Sequence, residues 1–205
     1  MARGRVNEDT ERYKTEAFEK LKRMFGEKEV EIEWDVAKGS GDAFNRKLYC
    51  PRLDLAVGPF NIDGHIEKNN ERINQAVSRR RILLEDLFTR SETDLGNFED
   101  FLAERNKNPR CFLAIELENS GSRKHMLGDV ANASILGAIG IVVPLNEKRL
   151  RAFRKIREYI VFATKVGKLK ASFNNVILLN RENFMNVISR QSRTLEKNLN
   201  IATHS

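Results

Sequence analysis

The chain has 205 residues, of which 40% are hydrophobic, so it is long enough for one folded domain with a sizeable core. Its 36 Lys and Arg exceed its 29 Asp and Glu and give a formal net charge of +7, which favours a polyanionic partner such as nucleic acid. The longest apolar stretch, 138–145, is too short to span a bilayer, which argues against a membrane role.

The first quarter of the chain changes from helical to strand periodicity. Over about 8–25, apolar side chains recur at helical spacing and predict an amphipathic opening helix, with Gly26 as its stop. Residues 30–34 alternate between apolar and acidic side chains, which predicts a half-buried strand. After a glycine-rich break, the run 48–60 predicts a second strand, with Asp54 on the face that carries small neighbours.

Helices and central strands follow. Residues 65–89 are polar and compatible with a helix, and Asn97 can cap a short helix to about residue 105. The run 111–117 is apolar on both faces until Glu116, which is typical of a central strand covered on both sides. The later elements are predicted as a helix at 124–136, a strand at 139–143, a long helix capped by Asn146, a strand at 176–179 and a helix from Asn180 to about 196.

This order of elements predicts an α/β fold. Strands that alternate with helices after Cys111 favour a parallel centre, while the two earlier strands can pair as an antiparallel hairpin. We therefore expect one domain over residues 1–205, with a mixed central sheet that has helices on both faces.

Two cysteines and the start of the chain bear on its compartment. Residues 1–5 lead into acidic and polar residues and not into an apolar signal segment, so we expect a cytoplasmic protein. Cys50 and Cys111 should then stay reduced, and the three scattered histidines lack the spacing of a zinc site.

Three carboxylates carry the chemical hypothesis. Glu116 and Glu118 emerge on the same face of a strand, and Asp54 lies on another apolar run that can be its neighbour. Carboxylate oxygens are the ligands that Mg²⁺ prefers, and a bound ion polarises a phosphorus centre and generates hydroxide near neutral pH. Crowded carboxylates without a cation repel one another, which argues for a ligand.

These residues resemble the motif of a known superfamily. Residues 51–58, PRLDLAVG, followed by 114–118, AIELE, resemble the PD-(D/E)xK nucleases, the restriction-endonuclease-like fold. The resemblance covers about residues 8–143, and the helix-strand-helix segment of about 146–197 would be an extension. It implies Asp54 and Glu116 as ligands of Mg²⁺, or of Mn²⁺ in its place.

Glu118 departs from that motif, because the family usually has a lysine at its position. A glutamate there can bind metal or act as a general base, but it cannot stabilise developing negative charge. Lys124, at the start of the next helix, is the nearest lysine that could reach back. The opening helix of the family often adds a glutamate, and Glu16 occupies a comparable place, although a solvated helix charge is the plainer interpretation.

Two basic runs could follow a nucleic-acid backbone, although charge runs are usually solvated faces. They are Arg79-Arg80-Arg81 and the row Lys148, Arg149, Arg151, Arg154, Lys155 and Arg157.

The leading hypothesis is a Mg²⁺-dependent DNA endonuclease that hydrolyses phosphodiester bonds, of the restriction type or of a repair or recombination type. Asp54, Glu116 and Glu118 would be its catalytic acids and Lys124 its charge stabiliser. The resemblance also implies a homodimer as a reasonable expectation. The alternative is a catalytically inactive protein of the nuclease fold that serves as a nucleic-acid-binding or assembly module.

Overall fold

The computed structural model describes residues 2–36, 51–60, 66–119, 122–170 and 173–202, with side chains described between Glu8 and Thr194. In these residues the chain forms seven α-helices and five β-strands. The helices are α1 (Ala2–Phe25), α2 (Ile66–Arg79), α3 (Arg81–Thr89), α4 (Phe98–Ala103), α5 (Arg123–Leu136), α6 (Glu147–Lys165) and α7 (Arg181–Ala202). The strands are β1 (Val30–Asp35), β2 (Arg52–Val57), β3 (Cys111–Glu118), β4 (Gly137–Pro144) and β5 (Val176–Leu178).

The five strands form one mixed sheet in the order β1-β2-β3-β4-β5. The first three strands are antiparallel neighbours, whereas β3, β4 and β5 run parallel. The parallel connections each include a helix, α5 and α6, as a crossover requires. This confirms an α/β fold with an antiparallel start and a parallel centre.

Helices cover both faces of the sheet. One core cluster joins α1, α3, α4 and α7 to one face, with Leu55, Leu113 and Ile139 among its sheet residues. The other joins α5 and α6 to the opposite face, where Ala114 and Val142 lie. β3 is buried along its whole length, as its apolar sequence predicts.

Gly140 lets α5 approach the second face closely. A Cβ atom at this position would lie 2.8 Å from the carbonyl carbon of Ala133 and 2.9 Å from its oxygen. The missing side chain therefore brings the backbone of α5 against β4. As a result, polar side chains on the inner face of α5 reach the end of β3.

Capping residues behave as the sequence predicts. The side-chain oxygen of Asn97 accepts from the backbone nitrogens of Glu99 and Asp100, and that of Asn146 accepts from Arg149. Asn180 accepts from the backbone nitrogen of Asn183 at 2.7 Å and so starts α7. These caps satisfy amide groups that would otherwise lack partners at the helix ends.

Three elements differ most from the sequence predictions. The segment 65–89 divides into α2 and α3 at Arg80, whose guanidinium donates to the backbone oxygen of Met24 at 2.7 Å and lies 4.6 Å from the ring centre of Phe25. The opening helix begins at Ala2, and α7 continues to Ala202. The glycine-rich break, Cys50 and residues 48–49 lie outside the described residues.

None of the described helices combines the length and the hydropathy needed to cross a bilayer.

Candidate functional site

Asp54 and Glu116 meet where the ladder between β2 and β3 ends. The paired residues run to Leu55 opposite Ile115. Beyond that pair, the backbone nitrogen of Leu117 donates to Oδ2 of Asp54 at 2.8 Å, and the backbone nitrogen of Asp54 lies 3.5 Å from Oε2 of Glu116. Side-chain oxygens thus take the places that backbone carbonyls hold in a regular ladder. The predicted approach of these two strands is present.

Glu116 and Glu118 are nearly buried and face α5. Only 6% of Glu116 and 9% of Glu118 is exposed. Nδ2 of Asn132 lies 3.5 Å from Oε1 of Glu116, and Asp129 is hydrogen-bonded to Glu118. Asp129 and Asn132 are three residues apart on α5, so they lie on the same side of the helix.

The acids perturb one another strongly. Burial, followed by the negative charges of Asp54 and Asp129, raises the pKa of Glu116 to about 9. Burial, followed by the charge and hydrogen bond of Glu118, raises the pKa of Asp129 to about 8. Such shifts mark a site where burial and neighbouring acids disfavour the ionised carboxylates, without enough positive charge nearby to offset them.

A lysine from α1 supplies a cation to this site. Lys14 is only 4% exposed, and its Nζ lies 3.0 Å from Oδ1 of Asp54. The same nitrogen forms ion pairs with Glu33 and, at 3.5 Å, with Glu11. Burial alone would lower the pKa of Lys14, but the hydrogen bond to Glu33 and the charge of Asp54 raise it above the ordinary lysine value.

The pKa of Asp54 is raised despite this lysine. Burial is the largest cause and outweighs the backbone hydrogen bond from Leu117 and the charge of Lys14, both of which lower it. Asp54 therefore belongs to the same undercompensated group as Glu116.

Glu33 reaches Lys14 from a strained position. Its φ angle is 49°, in the left-handed region that costs a residue with a side chain roughly 1–2 kcal/mol. It lies between Ile32 and Trp34, which pair with Leu55 and Leu53, so it stands across from Asp54. Strain of this kind persists where the surroundings impose it, often at functional sites.

Glu16 and Lys124 lie apart from this cluster. Glu16 is exposed and pairs with Lys20 at 3.4 Å along α1. Lys124 is exposed on the first turn of α5, and it makes no ion pair with any carboxylate in the described part of the chain. Its neighbour His125 completes a capping box with Ser122. A metal-ligand role for Glu16 and a catalytic role for Lys124 stay predictions that no contact supports.

Lys14 and Asp129 were not predicted as site residues, although the sequence contains a signal for each of them. Lys14 falls three residues before Ala17 and seven before Leu21, inside the buried stripe of α1, where a lysine is out of place. Asp129 likewise lies between Met126 and Val130 on the inner face of α5. A charged residue within an apolar stripe could therefore have marked both.

Oxygen-donor chemistry at this site suits a divalent cation. Oδ2 of Asp129 is buried and has no hydrogen-bond partner among the described atoms, and Glu116 and Glu118 add further carboxylate oxygens. In the described residues, however, no group of three or more His, Cys, Asp or Glu side chains is already arranged around a single ion position. The donor set fits Mg²⁺ by type, and its side chains would have to turn to bind it.

Part of the basic surface begins beside these acids. Asn119, directly after Glu118, accepts a hydrogen bond from Nδ2 of Asn146 at 2.9 Å, which places the start of α6 next to the end of β3. Three exposed basic residues then follow along α6 and make no ion pair with any side chain that the structure describes. They are Lys148, Arg151 and Lys155, and we call them the α6 basic stripe.

Other predicted basic residues have structural partners. Arg157 is only 6% exposed and donates to the backbone oxygen of Phe173 at 2.7 Å, so it points into the protein. Arg154 pairs with Glu92, and Arg81 with Glu99. The basic row of α6 is thus narrower at the surface than its sequence indicates.

Comparison of the chain with protein-family models, curated proteins and solved structures gives no match.

Proposed function

We propose that this protein is a Mg²⁺-dependent DNA endonuclease of the PD-(D/E)xK, restriction-endonuclease-like superfamily. The observation that carries the proposal is the cluster of charged residues where the ladder between β2 and β3 ends. There Nζ of Lys14 lies 3.0 Å from Asp54, and the backbone nitrogen of Asp54 faces the carboxylate of Glu116. The order α1, β1, β2, β3, α5 and β4, with α2, α3 and α4 inserted between β2 and β3, supports the same superfamily, as does the mixed sheet.

In this proposal Asp54, Glu116 and Glu118 hold the metal ion, with Asp129 as a further carboxylate in reach of Glu118. A bound Mg²⁺ would act as a Lewis acid on the scissile phosphate and lower the pKa of a coordinated water. The oxygen atoms of the acids would orient the ion, and their raised pKa values fall because the cation favours their ionised forms.

Lys14 takes the role that the resemblance gives to a lysine at position 118. Its ammonium would stabilise the negative charge that develops on the phosphate and would orient the attacking water. Glu33 would keep Nζ beside Asp54, because both carboxylates bind the same nitrogen. Glu118 and Asp129, which share a hydrogen bond, can accept the proton that the water loses.

The α6 basic stripe would bind the backbone of DNA next to the acids. Its three exposed cations start beside Asn119 and extend away along one side of the helix. Such a row lowers the repulsion between DNA and the acidic cluster.

By the same resemblance, we propose that two copies of this protein bind duplex DNA as a homodimer. Light scattering of the protein with a short duplex would test this.

An inactive nuclease-fold module is the second candidate, and one observation favours it. Lys14 already offsets the charge of Asp54, and no described set of acids surrounds a single ion position. A lysine in that place can stand in for a lost metal and preserve the fold without turnover. This protein would then bind nucleic acid or assemble with a partner.

Cleavage of supercoiled plasmid separates the two candidates. Under the proposal the wild-type protein nicks or linearises plasmid with Mg²⁺ or Mn²⁺ but not with EDTA, and Asp54→Asn, Glu116→Gln and Lys14→Met each lower the rate at least about a hundredfold. Glu85→Gln, which changes an exposed glutamate of α3, should leave it unchanged. Absence of metal-dependent cleavage together with intact DNA binding would favour the inactive module.

A further inference from the structure

A cavity of about 410 Å³ lies between the end of α1, the segment after β2 and α2. Phe25, Pro59 and Phe112 contribute its apolar part, and three arginines contribute its charge. This volume is in the usual range of small-ligand sites. The cavity is separate from the acidic cluster. Its lining residue Gly58 follows Asp54 by four residues in extended chain, which corresponds to about 13 Å between the two residues.

Two arginines of this cavity differ from the arginines that form ion pairs on other surfaces. Arg72 and Arg79 are seven residues apart on α2, so they lie on the same side of the helix with Gln75 between them. Both are exposed, and neither makes an ion pair with a described side chain. By contrast, six described arginines elsewhere pair with carboxylates, namely Arg12, Arg81, Arg90, Arg154, Arg181 and Arg190.

Arg80 also lines the cavity, and its guanidinium is held in a fixed position. Its hydrogen bond to the backbone of Met24 and its stacking on Phe25 hold the guanidinium in place. Glu29 is the one carboxylate among the described residues that line the cavity, so these three guanidinium groups and one carboxylate contribute a charge of about +2 there.

We propose that this cavity binds a phosphomonoester. A phosphomonoester carries about −1.5 to −2 charges at neutral pH, which matches the charge of the lining, whereas a phosphodiester carries about −1. Arginine binds phosphate oxygens through two parallel N–H groups, and the amide of Gln75 adds a neutral donor. The phosphate can belong to a free nucleotide or to the 5′ end of a nucleic-acid strand.

Calorimetric titration with AMP and with cyclic AMP tests the charge requirement. The two probes share a base and a ribose, but one is a monoester and the other a diester. The titrations are made on the whole chain in EDTA, which prevents metal-dependent cleavage. AMP should bind at least about tenfold more tightly than cyclic AMP, since each charge-assisted hydrogen bond contributes about that factor. Equal affinities, or no binding of AMP, would overturn the proposal.

Substitution of the two unpaired arginines tests the location. The double variant Arg72→Gln/Arg79→Gln should lose the preference for AMP and keep its fold, because neither side chain holds the structure together. The matched control Lys107→Gln/Arg123→Gln removes two exposed positive charges from other surfaces and should keep the preference. If the Arg72→Gln/Arg79→Gln variant keeps the preference for AMP, the phosphate binds elsewhere and the proposal is overturned. If this variant fails to fold, the comparison of AMP with cyclic AMP on the wild type still tests the proposal.

Competition identifies the source of the phosphate. A 5′-phosphorylated oligonucleotide that displaces AMP, while its 5′-hydroxyl counterpart does not, indicates a strand terminus. Displacement by neither oligonucleotide, with AMP bound, indicates a free phosphomonoester. Equal displacement by both would show that the cavity accepts phosphodiesters and would contradict the monoester proposal.

Discussion

The ammonium nitrogen of Lys14 lies 3.0 Å from Oδ1 of Asp54, so α1 and β2 meet through a nearly buried ion pair. The lysine occupies the apolar stripe of its helix and still finds two carboxylates, Asp54 and Glu33, at its end. A cation therefore reaches the acidic cluster from the opening helix, although the strand position 118 carries a glutamate.

Replacement of Lys14 by methionine should destabilise the protein through the acids that it leaves behind. Breaking a buried pair costs about 3–5 kcal/mol, and we expect about 2–3 kcal/mol because Asp54 and Glu33 retain some exposure. In urea unfolding, Lys14→Met/Asp54→Asn should be more stable than the sum of the single variants predicts, by about 1–3 kcal/mol.

The control for this cycle is Lys20→Met on the same helix. Among the described residues Lys20 pairs with the exposed Glu16 alone, and such a pair contributes less than about 1 kcal/mol. Strict additivity of the Lys14 and Asp54 changes would show that the two side chains do not interact in solution.

Two substitutions of Glu33 test whether its backbone is strained, through their effects on the free energy of unfolding. Alanine and glycine both remove the carboxylate, but only glycine adopts a positive φ without cost. We expect Glu33→Gly to be more stable than Glu33→Ala by about 1 kcal/mol in chemical unfolding. Both should lower plasmid cleavage, because Lys14 loses a partner. An alanine variant as stable as the glycine variant would contradict the left-handed conformation.

The metal-free protein should lose stability as the pH rises. The pKa of Glu116 is raised from 4.5 to about 9 and that of Asp129 from 3.8 to about 8, so both acids stay protonated in the folded state after they ionise in the unfolded one. The unfolded state binds fewer protons in this window, and stability falls by up to about 1.4 kcal/mol per pH unit for each group.

Thermal unfolding in EDTA between about pH 5 and pH 8 measures this effect. Glu116→Gln should flatten the decline, whereas Glu85→Gln should leave it as it is. Saturating Mg²⁺ should stabilise the wild type more at the higher pH, because the ion binds ionised carboxylates. Identical pH profiles for the wild type and Glu116→Gln would contradict the raised pKa of Glu116.

The salt dependence of DNA binding should report the α6 basic stripe. Each phosphate contact contributes about 0.9 to the slope of log affinity against log salt concentration, so the triple glutamine variant of Lys148, Arg151 and Lys155 should lower that slope by about 2–3. The control removes three exposed lysines from other surfaces, namely Lys28, Lys68 and Lys107. If both variants lower the slope equally, DNA binding depends on the overall positive charge of the protein and not on the α6 basic stripe.

The sequence determined the elements and the two strands that carry the acids. The periodicity around Ala17 and Leu21, the caps at Asn97 and Asn146, and the apolar run before Glu116 each depend on neighbours within a few residues. Such local signals are enough to place Glu116 and Glu118 on one face of a central strand. They also predict an α/β sheet with helices on both sides.

Only the tertiary structure decided which polar side chains join those acids. Asp129 reaches Glu118 because the absence of a side chain at Gly140 lets α5 pack against β4, and Lys14 reaches Asp54 because α1 packs against β1 and β2. Both contacts join residues that are far apart in the chain, so no local pattern specifies them. The positive charge that pairs with Asp54 therefore depends on how α1 and β2 pack together in space.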